Sequence, residues 1–292
     1  MIDKKTCNLC PRDCNVDRGV AVGYCGVGSS PRVAKAYLHK WEEPCISVEN
    51  GSGTIFFSGC NLKCVYCQNY EISSGLKGKD ITTKELADIF KKLEELGAEN
   101  INLVTPSHYA RAIKEALDIY RPSIPIVYNS SGYEKIETLD MLKDYVDIFL
   151  VDLKYMDSEL SSRLSGAKDY PQVATSIIKY IRALQPQNIY NKDKLIKGVI
   201  IRHLILPNHI DDSINILHWI KDNIPNPCIS LMGQYVPMHR ANEHEDISRK
   251  LKPIEYKVVC NEAIKLGLLD GYFQDLESAD SAYTPVWDLE GI

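Results

Sequence analysis

From Thr54 onward one pattern recurs: a short apolar run, a break of small or polar residues, then an amphipathic stretch of helical period. Six runs read as strands, at residues 54–57, 101–104, 125–128, 147–151, 198–206 and 228–232. Helical patterns occupy 109–120, 134–144, 158–164, 173–184, 211–223 and 253–266. Another helix opens at Thr83-Lys84-Glu85-Leu86 with a start signature; Leu86, Ile89, Phe90, Leu93 and Leu96 form its apolar face, and Gly97 ends it. Strands that alternate with helices predict parallel pairing, because each helix carries the chain back across a sheet face. Right-handed crossovers curl such a sheet into a barrel or partial barrel, with an open doubly wound sheet as the alternative. With 292 residues, 45% of them hydrophobic, the chain can build a large α/β core without covalent staples.

The strand ends favour the barrel. Ser58-Gly59-Cys60, Thr105-Pro106-Ser107-His108, Asn129-Ser130-Ser131, Asp152 with Lys154, and Gln234-Tyr235 follow the apolar runs, and Arg202 and His203 interrupt the fifth. Any one polar strand end needs only solvent to explain it. Six in succession outline a pocket, since barrels gather their reactive groups at C-terminal strand ends. His108 is placed to join that pocket, whereas His203 reads equally well as a satisfied core histidine.

Three segments are expected: a Cys-rich, loop-forming module at 1–50, the barrel at 51–270, and a C-terminal extension at 271–292. A formal net charge of −5 argues against a nucleic-acid coat or a polybasic membrane anchor. No apolar run approaches the ~18 residues of a membrane span, and no secretory apolar region follows Met1, so a soluble, cytoplasmic protein is expected.

Of ten cysteines, eight lie in the first 67 residues. Disulfide frameworks belong to small secreted domains, so clustered thiols here point to metal. Cys60, Cys64 and Cys67, spaced C-x3-C-x2-C, directly follow the first apolar run. Three thiolates on a cubane 4Fe–4S cluster leave one iron open, which separates a reactive site from a closed structural one. Zinc with a remote fourth ligand is the alternative.

The motif, with aromatic Tyr66 just before its last cysteine, resembles the signature of the radical S-adenosylmethionine (SAM) superfamily. Ser58-Gly59-Cys60-Asn61-Leu62, Cys67-Gln68-Asn69-Tyr70, Tyr128-Asn129-Ser130-Ser131-Gly132-Tyr133, Asp152-Leu153-Lys154-Tyr155, Arg202-His203-Leu204 and Gln234-Tyr235-Val236-Pro237 are together similar to one branch, the uncharacterised homologues of the pyruvate formate-lyase activating enzyme. The resemblance implies a partial (β/α)6 barrel with a 4Fe–4S cluster on Cys60, Cys64 and Cys67. SAM would chelate the open iron, and its reductive cleavage to methionine and a 5′-deoxyadenosyl radical would abstract hydrogen from a protein or small molecule. It also implies an electron donor such as flavodoxin or ferredoxin, and neither nucleic acid nor membrane as partner.

Carried over residue by residue, Tyr66 takes the position that packs on the cluster and meets the adenine edge. The superfamily's Gly-Gly-Glu-type strand end, which holds the methionine amino group, falls at Thr105-Pro106-Ser107-His108; this sequence departs from it, leaving Thr105 and Ser107 as candidates. Asn129 and Ser130 match a strand end that contacts ribose or carboxylate. Asp152 and Lys154 match the Asp-Leu-Lys strand end, and Arg202 suits the SAM carboxylate through its planar fork.

Cys7, Cys10, Cys14 and Cys25 offer a tetrahedral set for zinc or a second iron–sulfur cluster, with free thiols as the remaining alternative. Cys45, beside Trp41-Glu42-Glu43-Pro44, reads as a buried thiol in preference to a substrate-side one, and Cys228 and Cys260 as core. Two other functional classes compete with a radical enzyme: an electron-transfer or redox-sensing iron–sulfur protein, and a zinc-bearing binding module. Neither needs a cofactor pocket at six strand ends.

Overall fold

A computed structural model of the chain describes residues 6–274, 276 and 285–292. Ten strands form its sheet: β1 (Arg32–His39), β2 (Ser52–Phe57), β3 (Lys79–Asp80), β4 (Ile101–Val104), β5 (Ile126–Ser130), β6 (Ile148–Asp152), β7 (Ile189–Asn191), β8 (Lys194–Leu204), β9 (Cys228–Met232) and β10 (Gly271–Gln274). The helices are α1 (Tyr70–Ser73), α2 (Thr83–Glu95), α3 (Ala110–Ile119), α4 (Ile136–Leu142), α5 (Ser158–Ser165), α6 (Tyr170–Leu184), α7 (Ile210–Asn223) and α8 (Pro253–Lys265). The strand order is β10-β9-β8-β6-β5-β4-β2-β1-β3, with β7 paired to β8. From β2 through β10 along this path every pairing is parallel, and β1 adds to β2 antiparallel.

The six expected strands appear as consecutive neighbours of a partial (β/α)6 barrel, which a Cys-rich segment precedes. Among the described residues no pairing joins β10 to β1 or β3, so the strand path stays open. Three findings differ from the sequence reading. Residues 32–39, expected inside a loop-forming segment, make β1, and β10 extends the parallel row. Leu96, assigned to the apolar face of α2, is 55% exposed, because it lies past the last helical turn where the face has rotated away from the sheet. Of the expected extension at 271–292, residues 275 and 277–284 lie outside the described residues.

Local chemistry sets the element ends. Thr82 caps α2 by accepting the Glu85 N–H, and Glu85 reaches back to the Thr82 N–H, a reciprocal pair that satisfies two orphan donors. Asp157 caps α5 at its start, and Gly166, at φ +66°, closes its end.

Strand periodicity then sorts side chains onto two faces. Tyr128, Phe149, Val151, Val199 and Ile201 face the helices in the main core. Val127, Ile148, Leu150 and Ile200 face inward, where they pack with Cys45, Ile46, Leu195 and Cys228. Cys45 and Ile46 come from the loop between β1 and β2, which threads the barrel interior. The Leu195 N–H binds the Cys45 carbonyl at 2.9 Å, Asn100 Nδ2 donates to the Ile46 carbonyl, and the Glu99 carboxylate accepts from the N–H groups of Val48, Glu49 and Asn50. This loop closes the barrel from beneath, and Cys45, 2% exposed, is core.

Candidate functional site

Above that apolar floor lies a cavity of about 750 Å³. The inner-face period continues upward to its wall: Phe56, Val104, Asn129, Asp152, Arg202, Met232 and Gln274 all line it, each at the C-terminal end of its strand. Cys64, Tyr66 and Cys67 enter from the loop after β2, Gln234 and Tyr235 from the segment after β9, and Trp41 and Glu42 from the β1–β2 loop.

Four of the expected site residues form one network on this wall. Arg202 donates from Nε to Asp152 Oδ1 at 2.8 Å and from Nη2 to Asn129 Oδ1 at 2.7 Å. Lys154 Nζ donates to Asp152 Oδ2 at 2.6 Å. Register explains the convergence, for Asp152 pairs with Arg202 across β6 and β8 and Asn129 lies on the next strand. Burial opposes ionisation of Asp152, but the Arg202 and Lys154 charges outweigh it and hold the carboxyl below its ordinary range. Lys154 and Arg202 are in turn held above theirs by Asp152, against the pull of burial. Glu42 Oε2 approaches Arg202 Nη1 at 3.8 Å, a charge the sequence reading did not assign to the site. Only the interior course of the β1–β2 loop brings it there, and no local sequence signal marks that course.

The remaining expectations fall elsewhere. Ser130 is one residue out of phase with Asn129, so the two-residue period turns it from the cavity; its hydroxyl accepts from the Gly132 N–H. Thr105, just past β4, adopts φ +60°, a left-handed conformation rare for a β-branched residue, and is not among the cavity-lining residues. Ser107 is buried and donates to Glu134 Oε1, so its hydroxyl is not offered to the cavity. His108 is a correction as well: its Nε2 bonds the Ser58 carbonyl at 2.9 Å, and burial pushes its pKa down to about 3. His203 is the core histidine, bonded at Nδ1 to the Leu153 carbonyl and at Nε2 to Ser213 Oγ, both at 2.8 Å.

The cysteine loop is held on two sides. At the end of α5, the Ser165 carbonyl accepts the Lys63 N–H and the Leu164 carbonyl accepts the Val65 N–H, at 3.1 and 2.9 Å. From the N-terminal segment, Arg12 donates from Nε to the Asn61 carbonyl at 2.8 Å while its guanidinium stacks over Tyr24 at 4.0 Å. Gly59 sits at φ +85°, where a Cβ would meet the Cys25 carbonyl at 2.9 Å; both the turn and the close approach require glycine.

Each of the three sulfurs has a neighbour in hydrogen-bond range: the Leu62 N–H donates to Cys60 at 3.4 Å, Ser165 Oγ donates to Cys64 at 3.0 Å, and Ser73 Oγ lies 3.3 Å from Cys67. Tyr66 presents its ring to the cavity, its hydroxyl being engaged by Tyr155 at 2.5 Å. Burial, and then the neighbouring Cys64, raises Cys60 to about 12 and Cys67 to about 11. Thiols so placed resist ionisation until cations meet the sulfurs, and soft donors in this environment fit an iron–sulfur cluster.

Among the described residues, no three His, Cys, Asp or Glu side chains are gathered closely enough to hold a metal ion. A cluster of several irons asks for thiolates spread around it instead of converged on one point. For Cys7, Cys10, Cys14 and Cys25 the case for metal rests on spacing. Cys10 is buried beside Glu134, Cys7 and Cys14, and burial is the main cause that pushes it up to about 12. Among the described residues, no helix is long and apolar enough to cross a membrane.

A family model described as the radical SAM superfamily matches residues 54–220. The uncharacterized protein MJ0674 of Methanocaldococcus jannaschii is 34% identical over 274 residues, covering 90% of this chain and 76% of that protein. The pyruvate formate-lyase-activating enzyme of Clostridium pasteurianum is 26% identical over 210 residues, covering 69% of this chain and 82% of the enzyme. Among solved structures, SuiB of Streptococcus suis, bound to the precursor peptide SuiA, matches with a TM-score of 0.50 at 16% identity. That match covers 75% of this chain and 48% of SuiB, about half its length, and bears on the fold alone.

Proposed function

Because the chain belongs to the radical SAM superfamily, we propose that it is an activating-enzyme-like radical SAM enzyme that abstracts hydrogen from a protein or small molecule bound in the barrel cavity. What supports the reading is one juxtaposition: the loop of Cys60, Cys64 and Cys67 and the network of Asn129, Asp152, Lys154 and Arg202 open onto the same cavity. An electron carrier or redox sensor has no use for the second element. Cys60, Cys64 and Cys67 would hold the cluster, which with SAM supplies one-electron reduction of a sulfonium and release of methionine and a 5′-deoxyadenosyl radical.

The chain's own residues bind, orient and shield. Arg202 offers guanidinium N–H groups and Asn129 an amide to a carboxylate or ribose hydroxyl. Asp152 keeps Lys154 and Arg202 in place, and ionised as it is, it can accept from an ammonium group. Tyr66 packs an aromatic ring beside the thiols, suited to an adenine. The β1–β2 loop seals the cavity floor against water, which a reactive radical needs. The activating-enzyme relatives bear the name of a protein they act on, which is the ground for counting a protein among the substrates here. Flavodoxin or ferredoxin is proposed as the electron donor.

The test is SAM cleavage to 5′-deoxyadenosine by the anaerobically reconstituted chain with dithionite. Cys60→Ala, Cys64→Ala and Cys67→Ala should each abolish it. Arg202→Ala should weaken SAM binding with cluster iron retained; the loss of a charge-assisted hydrogen bond of about 1.5–3 kcal/mol corresponds to roughly 10- to 150-fold. A brown, iron-loaded protein that binds no SAM and cleaves none would instead be the electron-transfer or sensing protein.

A further inference from the structure

The environment of Cys64 differs from that of the other two thiols. Ser165, fully buried at the end of α5, donates its hydroxyl to Cys64 Sγ at 3.0 Å. Its oxygen lies 2.8 Å from the hydroxyl of Tyr155, and that hydroxyl lies 2.5 Å from the hydroxyl of Tyr66. Three hydroxyls thus run in a line from the cavity-lining tyrosine to a cysteine sulfur. All three residues are buried, and Tyr155 is fully so.

Proton counting fixes the direction of the chain. A cysteine that ligates metal is a thiolate and can only accept. Each hydroxyl carries one proton. With the Ser165 proton given to sulfur, Tyr155 must donate to Ser165, and with the Tyr155 proton so committed, Tyr66 must donate to Tyr155. Every dipole in the row therefore points its positive end at Cys64. Bonds aligned in this way polarise one another, and low-dielectric surroundings strengthen each of them.

The geometry is also held from the backbone. The residues that flank the Cys64 sulfur, Lys63 and Val65, are bonded to the carbonyls of Ser165 and Leu164. The same helix end thus grips the loop with its last carbonyls and addresses the sulfur with its last hydroxyl. Cys60, by comparison, receives a single backbone N–H at 3.4 Å, and no further hydroxyl of the described residues continues the contact between Cys67 and Ser73.

From this arrangement we infer that the Tyr66–Tyr155–Ser165 row sets the reduction potential of the cluster through Cys64, with Ser165 as a positioning and tuning residue. The inference rests on the cluster assignment made above. Adding an electron puts negative charge on the thiolate sulfurs, so a donor aimed at one of them favours the reduced state and raises the potential. Removing the donor makes the cluster harder to reduce. Tyr66 extends the effect into the cavity, because a ligand that turns its hydroxyl away from Tyr155 would weaken the whole row. Cofactor binding and cluster potential are then coupled through three side chains.

The experiment is a dye-mediated reductive titration of the reconstituted full-length protein, followed by electron paramagnetic resonance of the reduced cluster, without added SAM. Ser165→Ala should lower the ratio of reduced to oxidised cluster at a fixed potential about tenfold, a shift of about 59 mV to more negative values for a one-electron couple. Ser165→Thr keeps the hydroxyl and should keep the wild-type potential. Tyr155→Phe should shift it in the same direction by less. Iron content is measured for every variant, and if Ser165→Ala fails to load, Tyr155→Phe decides. Wild-type potentials in Ser165→Ala or, in that event, in Tyr155→Phe would overturn the inference while leaving the enzyme reading intact. Failure of the wild-type protein to take up any cluster would overturn both.

Discussion

Asp152 holds two cations on the cavity wall, and removing its charge tests whether the network is a designed unit. In Asp152→Asn the shape of the side chain is nearly unchanged, but Lys154 and Arg202, whose side chains are only 18% and 16% exposed, lose their shared counterion. Breaking a buried ion pair by deleting one partner costs about 3–5 kcal/mol, because a charge is left uncompensated. Residual solvent access and Glu42, 3.8 Å from Arg202, place the cost here at the lower end, about 3 kcal/mol. For 292 residues, with an unfolding entropy of about 0.6 kcal/mol/K, that corresponds to a fall in Tm of roughly 5 °C. The assay is thermal unfolding of the metal-free protein by circular dichroism, which separates this effect from cofactor binding. Removing Lys154 as well, in Asp152→Asn/Lys154→Met, should recover part of the loss, since one stranded cation then disappears. The pH dependence has a definite sign. With a folded pKa below the unfolded one, the Asp152 contribution is complete above the ordinary aspartate range and is lost as pH falls through the folded value, so the gap between variant and wild type should close in acid. A variant that melts within 2 °C of wild type at pH 7, where roughly 5 °C is expected, would refute the reasoning.

Glu134 carries the opposite sign. Burial raises its pKa to about 7 despite hydrogen bonds from Ser107 and Tyr128, so the folded state binds a proton that the unfolded state has released, and stability should decline as pH rises from the ordinary carboxylate range to about 7. Glu134→Gln should flatten that decline, and parallel melting curves of Tm against pH for the two proteins would disprove it. Cys10→Ala should lower thermal stability and open residues 6–30 to protease, while SAM cleavage with dithionite largely persists, because four thiolates would close a structural site. Zinc and iron analysis accompanies it: zinc, or iron beyond that of one four-iron cluster, would show that this segment binds metal, and about eight irons with activity lost in the variant would make it an auxiliary cluster.

Much of this architecture is legible from periodicity. The apolar runs of β5 and β6 are short and unbroken because both faces of a parallel strand are covered, and the start signature read at Thr83-Lys84-Glu85-Leu86 falls within a residue of the Thr82 cap of α2. Cavity-lining positions were readable where phase is strict: Asn129, Asp152 and Arg202 share the inner parity of Val127, Leu150 and Ile200. Ser130 and His203 fail the same parity and do not line the cavity. What a local reading misses is long-range insertion. Glu42 lies in a segment without helical or strand period, and β1 is masked by the cysteines and glycines around it. Ser165 carries no motif, since a serine at a helix end ordinarily needs no partner beyond solvent or backbone.

The interior course of the β1–β2 loop bears on the order in which the protein can be assembled. Cys45 is tied to Leu195, roughly 150 residues further along, and Glu42 meets Arg202 across a similar span. Contacts of such separation form late, after the loop-closure entropy of the intervening chain has been overcome. A nascent chain therefore exposes its cysteine motif on the ribosome long before β8 exists to seal the cavity floor around it. Cluster loading before that point would leave the irons open to solvent on the side that the folded barrel protects. The threading thus makes the cavity floor one of the last parts of the barrel to form.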